Sequence, residues 1–415
     1  MSRVWISRTE ALKRLDVKPQ TLYAYVSRQR IAAKSDPSHP RKSLYALDDV
    51  ERLSRRAPGR LPGHRPGQPA PAQTAIVGSL SGGTITRGEA AIDTEISLTL
   101  NGHNYYRGRD CIELAEHENF EAVAALLWQS ASPNPFGPLK PRPDVNFPGG
   151  PRLRVLSMLS RRIEEDALPE MNAERDLGLE AASLLNEMVD AVTNGGPRLF
   201  FHQRLGRAWK VYDNKDIDLL RRALVLSADT SLDEATLAVR VSAAALGPLA
   251  VPLMSGFSTL TAPRLGGRIS RAELYVTQVR RHGNAQLVAK TMLGQGLELP
   301  GFERDPSPSE YMRARHLIEA APHMGEDLKA ILRVGEDLTG RPVGMSLALA
   351  LIGRHLDLPR EAPVTLYGIG RSAGWLAHAI EQMQSGSAPK AKLRYIGVPP
   401  KVREEISAEP ALQIS

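Results

Sequence analysis

Along the first 57 residues, apolar positions recur at helical spacing between short polar breaks. Ser7 precedes "RTEALKRL" with Glu10 three residues later, a capping box that predicts a helix start. Pro19 suits the first turn of a second helix, in which Leu22, Tyr25 and Val26 share a face. "SDPSHPRKS" reads as a basic turn or small wing, and "LYALDDVERLSRR" offers Asp48 or Asp49 as the N-cap of a further helix. In "AAIDTEISLTLNGHNYYRGRD", apolar and polar residues alternate about the Asn101-Gly102 turn, which predicts a short β-hairpin. Beyond it the pattern is helical almost throughout, for example in "CIELAEHENFEAVAALLWQ" and "SRAELYVTQVRRHGNAQLVAKTMLGQ". Val241 to Pro263 carries no charged side chain. Pro248 and Pro252 within it favour a buried helix with a break over a membrane span.

Composition divides this pattern into domains. "APGRLPGHRPGQPAPAQT" is dominated by Pro and Gly, so residues 58–74 read as a linker between an N-terminal module, residues 1–57, and a larger helical domain. Charge divides the same way. Residues 1–72 hold 15 Lys and Arg against 6 Asp and Glu, whereas the remaining residues hold 38 against 40. The basic character belongs to the N-terminal segment and points to an anionic partner, with nucleic acid first. Cys111 is the one cysteine, which excludes an intrachain disulfide and fits a reducing compartment. The N-terminus reads as having no signal peptide, so a cytoplasmic location is expected.

Two short helices about the tight "DVKPQ" turn match a helix-turn-helix. The second helix would present Gln20, Thr21, Tyr23, Ala24, Ser27 and Arg28, groups able to read base edges and grip phosphates. Arg41 and Lys42 on the wing are placed for backbone contacts. The segment resembles the DNA-binding domain of the MerR/excisionase group. A solvated basic module for dimerisation or partner docking fits the same pattern.

Stretches of the larger domain resemble the citrate synthase family. "AAIDTEIS" followed by "YYRGRDCIELAEHENFEAVAALLW" is similar to that family's opening hairpin and first helices, "GRSAGWLAHAIEQ" to its last long helix and "KLRYIG" to its closing segment. The resemblance spans residues 75–400, with a tail at 401–415. It implies a mainly α fold: a homodimer of large and small helical domains, the small one roughly residues 270–365, closing over the site. It also implies condensation of acetyl-CoA or another short acyl-CoA with oxaloacetate. That reaction needs an aspartate base at the thioester α-carbon, a neutral histidine donor to the developing enol, a further histidine on the ketone and arginines on the carboxylates.

The matching positions depart from that pattern. The family's A-D-H-E-L-N-A-S falls on "ADTSLDEA", which puts Thr230 where the oxaloacetate-binding histidine stands. G-P-x-H-G-G-A falls on "APRLGGR", so Leu265 replaces the enol-stabilising histidine while both glycines persist. P-G-F-G-H falls on "PGFER", making the third histidine Arg304, and P-N-I-D-F falls on "VGMSL", making the aspartate Ser346. Leucine exchanges no proton and serine carries no carboxylate. The resemblance retains Arg313 and Arg371 as carboxylate-holding positions, and Lys390 stands where an arginine crosses the dimer, keeping charge without the fork.

Two readings result. One is an inactive or regulatory relative that pairs with itself or with an active paralogue, takes a di- or tricarboxylate or an acyl-CoA, and binds DNA through its N-terminal domain. The other is an active citrate or 2-methylcitrate synthase with substitute groups such as Asp229, Glu303 or Asp305. His282, His316 and His323 fall on helical stretches, and His378 reads as packed or hydrogen-bonded within its helix. The chain contains no His/Cys cluster of metal-ligand spacing, no phosphate-binding P-loop and no nucleophile elbow, so no metal and no cofactor are expected.

Overall fold

The computed structural model describes residues 5–15, 22, 26, 31–36, 39–50, 92–132, 134–137, 139, 148–167, 175–195, 198–303, 307–386 and 389. Gln20, Thr21, Tyr23, Ala24, Tyr25, Ser27, Arg28, Arg304, Asp305 and Lys390 lie outside the described residues, as do 58–74 and 401–415. The chain forms two compact units, Met1–Val77 and Gly78–Ser415.

In the first unit, β1 (Trp5–Ser7) leads into α1 (Arg8–Leu15), and β2 (Ala33–Asp36) turns into β3 (His39–Ala46). The strands form an antiparallel sheet of order β1-β3-β2, with Ile6 opposite Tyr45 and Ala33 opposite Tyr45 from the other side. The Ser7 hydroxyl accepts the Glu10 N–H at 3.2 Å, one half of the expected capping box. Leu22 and Val26 are helical and pack with Ala11, Ile31, Tyr45 and Val50 in a small core. Arg41 and Lys42 fall on β3, in the hairpin where the sequence suggests a wing. Asp49 differs from expectation. Residues 47–50 are already helical, and its buried carboxylate accepts the Ala32 N–H at 3.0 Å. It ties the helix to the chain entering β2 instead of capping a helix start.

The second unit opens with a meander of β4 (Ser97–Leu100), β5 (His103–Tyr106) and β6 (Arg109–Asp110). Asn101 and Gly102 both take positive φ in the tight β4–β5 turn, the geometry that makes Asn-Gly favourable there. Helices follow: α2 (Cys111–His117), α3 (Phe120–Trp128), α4 (Pro151–Glu165), α5 (Leu177–Thr193), α6 (Phe201–Ala208) and α7 (Asn214–Leu226). Then come α8 (Glu234–Ala243), α9 (Ala250–Leu260), α10 (Gly266–His282), α11 (Ala285–Gly294), α12 (Pro308–Glu319), α13 (Glu326–Thr339), α14 (Met345–His355) and α15 (Ala362–Ser385).

The unit is mainly helical around α15, which packs against α3, α5, α7, α8, α9, α10 and α14. Its small residues allow that crowding. A Cβ on Gly374 would stand 2.3 Å from the Ala228 carbonyl oxygen, and the Gly374 N–H donates to that oxygen at 3.0 Å. The uncharged stretch from Val241 is the end of α8, a connection containing Pro248, and α9 with Pro252 in its first turn. The break at the prolines is as expected, but the stretch is only partly buried, with Val241 and Leu246 exposed. Among the described residues no helix is long and apolar enough to cross a membrane.

Glu121 on α3 gives this core a pH signature. One carboxylate oxygen accepts the Phe201 N–H at 2.6 Å, while the other is buried without a partner. Burial pushes its carboxyl up to about 7 against the hydrogen bond from Phe201, and burial pushes Glu273 to about 7 as well. A raised carboxyl binds its proton more tightly in the fold than in the unfolded chain. Its contribution is therefore complete below the ordinary value of 4.5 and is lost as pH rises through about 7. Urea titrations at about pH 5 and pH 8 should show wild type losing stability at the higher pH. Glu121→Gln should lose measurably less, with Glu273 accounting for part of the remainder.

Candidate functional site

Asp229 follows the C-terminus of α7 and lies under α15, wholly excluded from solvent. The β-meander holds its main chain. The Asn104 side-chain amide donates to its carbonyl at 2.8 Å, and the Tyr106 hydroxyl accepts its N–H at 3.2 Å. Its carboxylate accepts from the Ser97 hydroxyl, from the Ser231 N–H at 2.9 Å and from Arg371 Nη1 at 3.0 Å. Burial alone would raise this carboxyl. His378, Arg371 and the Ser97 hydrogen bond outweigh burial and hold it far below the usual range.

Arg371, on α15, is also fully buried. Its Nη2 donates to Asp233 at 3.1 Å and to the Thr236 hydroxyl at 2.7 Å, and its Nε finds no acceptor. Burial disfavours the cation, but Asp233 and Asp229 more than reverse this and raise its pKa. Asp233 has two duties. One oxygen caps α8 by accepting the Thr236 N–H at 2.7 Å; the other accepts Arg371 Nη2 and, at 3.0 Å, the Thr230 hydroxyl.

A second layer backs this pair. His378 Nε2 stands 3.3 Å from Asp229, while its Nδ1 accepts from Arg240 Nε at 3.0 Å and Nη2 at 2.7 Å. Arg240 pairs in turn with Glu381. His378 thus bonds across to α8 rather than within its own helix, because α8 and α15 pack face to face here. Arg313 on α12 donates from Nη1 to the Leu226 carbonyl at 2.9 Å and from Nε to the Ser309 carbonyl at 3.2 Å.

The remaining predicted positions lie elsewhere. Leu265 precedes α10 and packs on the main core. Gly266 permits tight packing: a Cβ there would stand 2.5 Å from the Leu260 carbonyl oxygen. The glycine pair therefore serves the close turn of α9 into α10. Arg271 donates to the Pro263 carbonyl at 2.9 Å, closing the same turn. A cavity beside it is lined by Arg152, Thr261, Gly267, Ser270 and Thr365, among others.

Ser346 opens α14, buried, with its hydroxyl 3.5 Å from a Glu303 carboxylate oxygen. Glu310 accepts the Met345 N–H at 3.2 Å, and its carboxyl is raised first by burial and further by Glu303. Both acids crowd Gly344, where a Cβ would lie 3.1 Å from Glu310 and 3.3 Å from Glu303. Tyr367 on α15 is half-buried, and its hydroxyl is raised first by burial, with Arg371, Asp233, Arg313 and Glu310 all near enough to act on it.

Thr230 and Arg371 are brought together on Asp233, and Ser346 with Glu303; Leu265 is given to packing. Asp229 is not a free carboxylate. His282 ends α10 and His316 lies on α12, but His323 falls in the turn between α12 and α13. Among the described residues no cluster of His, Cys, Asp or Glu suits a metal ion. Asp233, Tyr367 and Glu310 escape sequence reasoning. A signal for Asp233 existed, since it stands at the asparagine of the matched "ADTSLDEA" stretch.

Residues 165–394 match the citrate synthase C-terminal domain. "Putative citrate synthase 2" of Mycobacterium tuberculosis is 25% identical over 205 residues, covering 47% of this chain and 55% of that protein. The chain thus spans about half the length of that relative. The 2-methylcitrate synthase of Shewanella oneidensis is 22% identical over 360 residues, covering 76% of this chain and 95% of the relative. Citrate synthase from Thermoplasma acidophilum, solved with carboxymethyl coenzyme A and oxaloacetate, matches with a TM-score of 0.60 at 15% identity. That match covers 76% of this chain and 96% of the other. The Thermotoga maritima enzyme matches at 0.56 and 19% identity, covering 75% and 95%.

Asp229→Asn should cost about 3–5 kcal/mol, the loss expected when one partner of a buried ion pair goes and the other stays charged. Urea denaturation followed by circular dichroism measures it. A loss below about 1 kcal/mol would show that Arg371 finds full compensation from Asp233 alone.

Proposed function

The chain belongs to the citrate synthase family, and we propose that it is a member that does not condense acyl-CoA with oxaloacetate. We propose that its helical body instead serves as a dimeric, ligand-responsive carrier for an N-terminal DNA-binding unit. One observation carries the first half. Where the family's chemistry needs an imidazole to donate to an enol, Leu265 is packed on the hydrophobic core, and the Asp233 carboxylate that accepts the Thr230 hydroxyl is held by Arg371. An acyl-CoA remains the ligand class that suits such a body.

The basic N-terminal segment and its β2–β3 hairpin support the second half. Gln20, Thr21, Tyr23, Ser27 and Arg28 would face the duplex, with Arg41 and Lys42 on phosphates. A homodimer would present two such units to two half-sites. Leu237, Val241 and Leu246 are exposed on α8 and just beyond it, an apolar face suited to a second copy or to a paralogue.

A second reading, an active synthase, draws on Glu303, whose carboxylate stands beside Ser346. Thiol release from acetyl-CoA or propionyl-CoA with oxaloacetate separates the two. The proposal expects no release above buffer from the full chain. Turnover that Glu303→Gln abolishes would establish the second reading. For DNA, a gel shift on mixed-sequence duplex should show binding that weakens steeply with salt. Arg41→Ala with Lys42→Ala should flatten the logarithmic salt dependence by about 2, near one for each phosphate no longer neutralised. Absence of any shift at low salt would refute the DNA-binding half.

A further inference from the structure

We infer that Asp233 is a built-in occupant of the Arg371 anion seat. Its carboxylate holds the place that a small external carboxylate would take, and it sets the site against such ligands. The inference rests on the reading above that Arg371 stands at the family's carboxylate-holding position.

The argument begins from the two oxygens of Asp233. A helix N-cap needs one oxygen, and asparagine caps as well as aspartate. One oxygen of Asp233 meets that need on the Thr236 N–H. The other is the meeting point of two donors from separate segments, Arg371 Nη2 at 3.1 Å and the Thr230 hydroxyl at 3.0 Å. A guanidinium and a hydroxyl converging on one oxygen make a carboxylate seat. Here the oxygen comes from the chain itself.

Charge makes the occupancy stable. Asp229 is wholly buried, fixed by Ser97 and Ser231, and already neutralises Arg371 through Nη1. His378 Nε2 stands 3.3 Å from Asp229, with its Nδ1 engaged by Arg240. The Arg371 guanidinium therefore faces two carboxylates, Asp229 and Asp233. An incoming anion would have to displace Asp233 and then lie beside it. Asp233 is on the accessible side, with 21% of its side chain exposed, whereas Asp229 and Arg371 show none. Asp233→Asn removes the excess negative charge, but its amide nitrogen fills the same place as the carboxylate oxygen. Asp233→Ser also caps α8 and leaves that place vacant, so that Arg371 Nη2 and the Thr230 hydroxyl would aim at an empty position.

The test is isothermal titration of the purified full chain with sodium succinate and sodium citrate at matched ionic strength. Wild type should give no saturable heat. Asp233→Ser should bind at least one of the two anions about tenfold or more tighter than wild type, and Asp233→Ser with Arg371→Lys should lose that gain. Asp233→Asn, which keeps the occupant's shape without its charge, serves as a second variant with a smaller gain, and circular dichroism confirms that each is folded. Wild type binding either anion as tightly as Asp233→Ser would overturn the inference. Folded Asp233→Asn and Asp233→Ser that both bind neither anion would overturn it too. The two readings fail separately: thiol release by wild type would overturn the proposed function, whereas the inference is read from the anion titrations of the Asp233 variants.

Discussion

The ion pair between Asp229 and Arg371 is the contact on which the larger unit depends. Both side chains are removed from water, so each carries a desolvation cost that only close partners can offset. The partners come from all around: Ser97 from β4, Ser231 from the connection after α7, and Asp233 and Thr236 from the start of α8. Asn104 and Tyr106 on β5 and Arg313 on α12 grip the adjoining main chain. Gly374 lets α15 come close enough to Ala228 for the pair to form. Elements far apart in the chain thus meet at one charge pair, and removing either charge strands the other in an apolar interior.

That arrangement bears directly on chemistry. Arg371 and Arg313 spend donors on the protein's own oxygens. At two positions that the family resemblance assigns to proton transfer stand a half-buried leucine packed against the core and a serine at the start of α14. Carboxylates persist at Glu303 and Glu310, close to the start of α14. They crowd Gly344 at the start of α14, and burial raises the Glu310 carboxyl. The result is a polar interior shaped for cohesion of helices, built on a scaffold whose relatives include named synthases.

Features governed by neighbouring residues were legible in the sequence. The Ser7 cap, the Asn101-Gly102 turn and the proline break before α9 follow from a few consecutive side chains, whereas the long α15 came from the family resemblance. The family resemblance added the correct mainly helical architecture. Pairings between distant segments were not legible. Asp49 looked like a cap because only the local pattern was visible, whereas its partner lies across the sheet at Ala32. His378 looked self-contained on its helix, but its partner Arg240 is 138 positions away. Asp233 advertised its capping role, while its second oxygen answers to Arg371, likewise 138 positions away. Leu265 and Gly266 suggested a ligand loop, and only the packing against Leu260 reveals why the glycine is needed.

The most direct measurement is a crystal structure of the full chain grown in a high concentration of citrate, with attention to the oxygen nearest Arg371 Nη2 and the Thr230 hydroxyl. The account predicts that this oxygen belongs to Asp233, with Asp229 on Nη1 and no citrate density at the guanidinium. Citrate oxygens seated on Arg371 and Thr230, with the Asp233 side chain turned away to solvent, would contradict it.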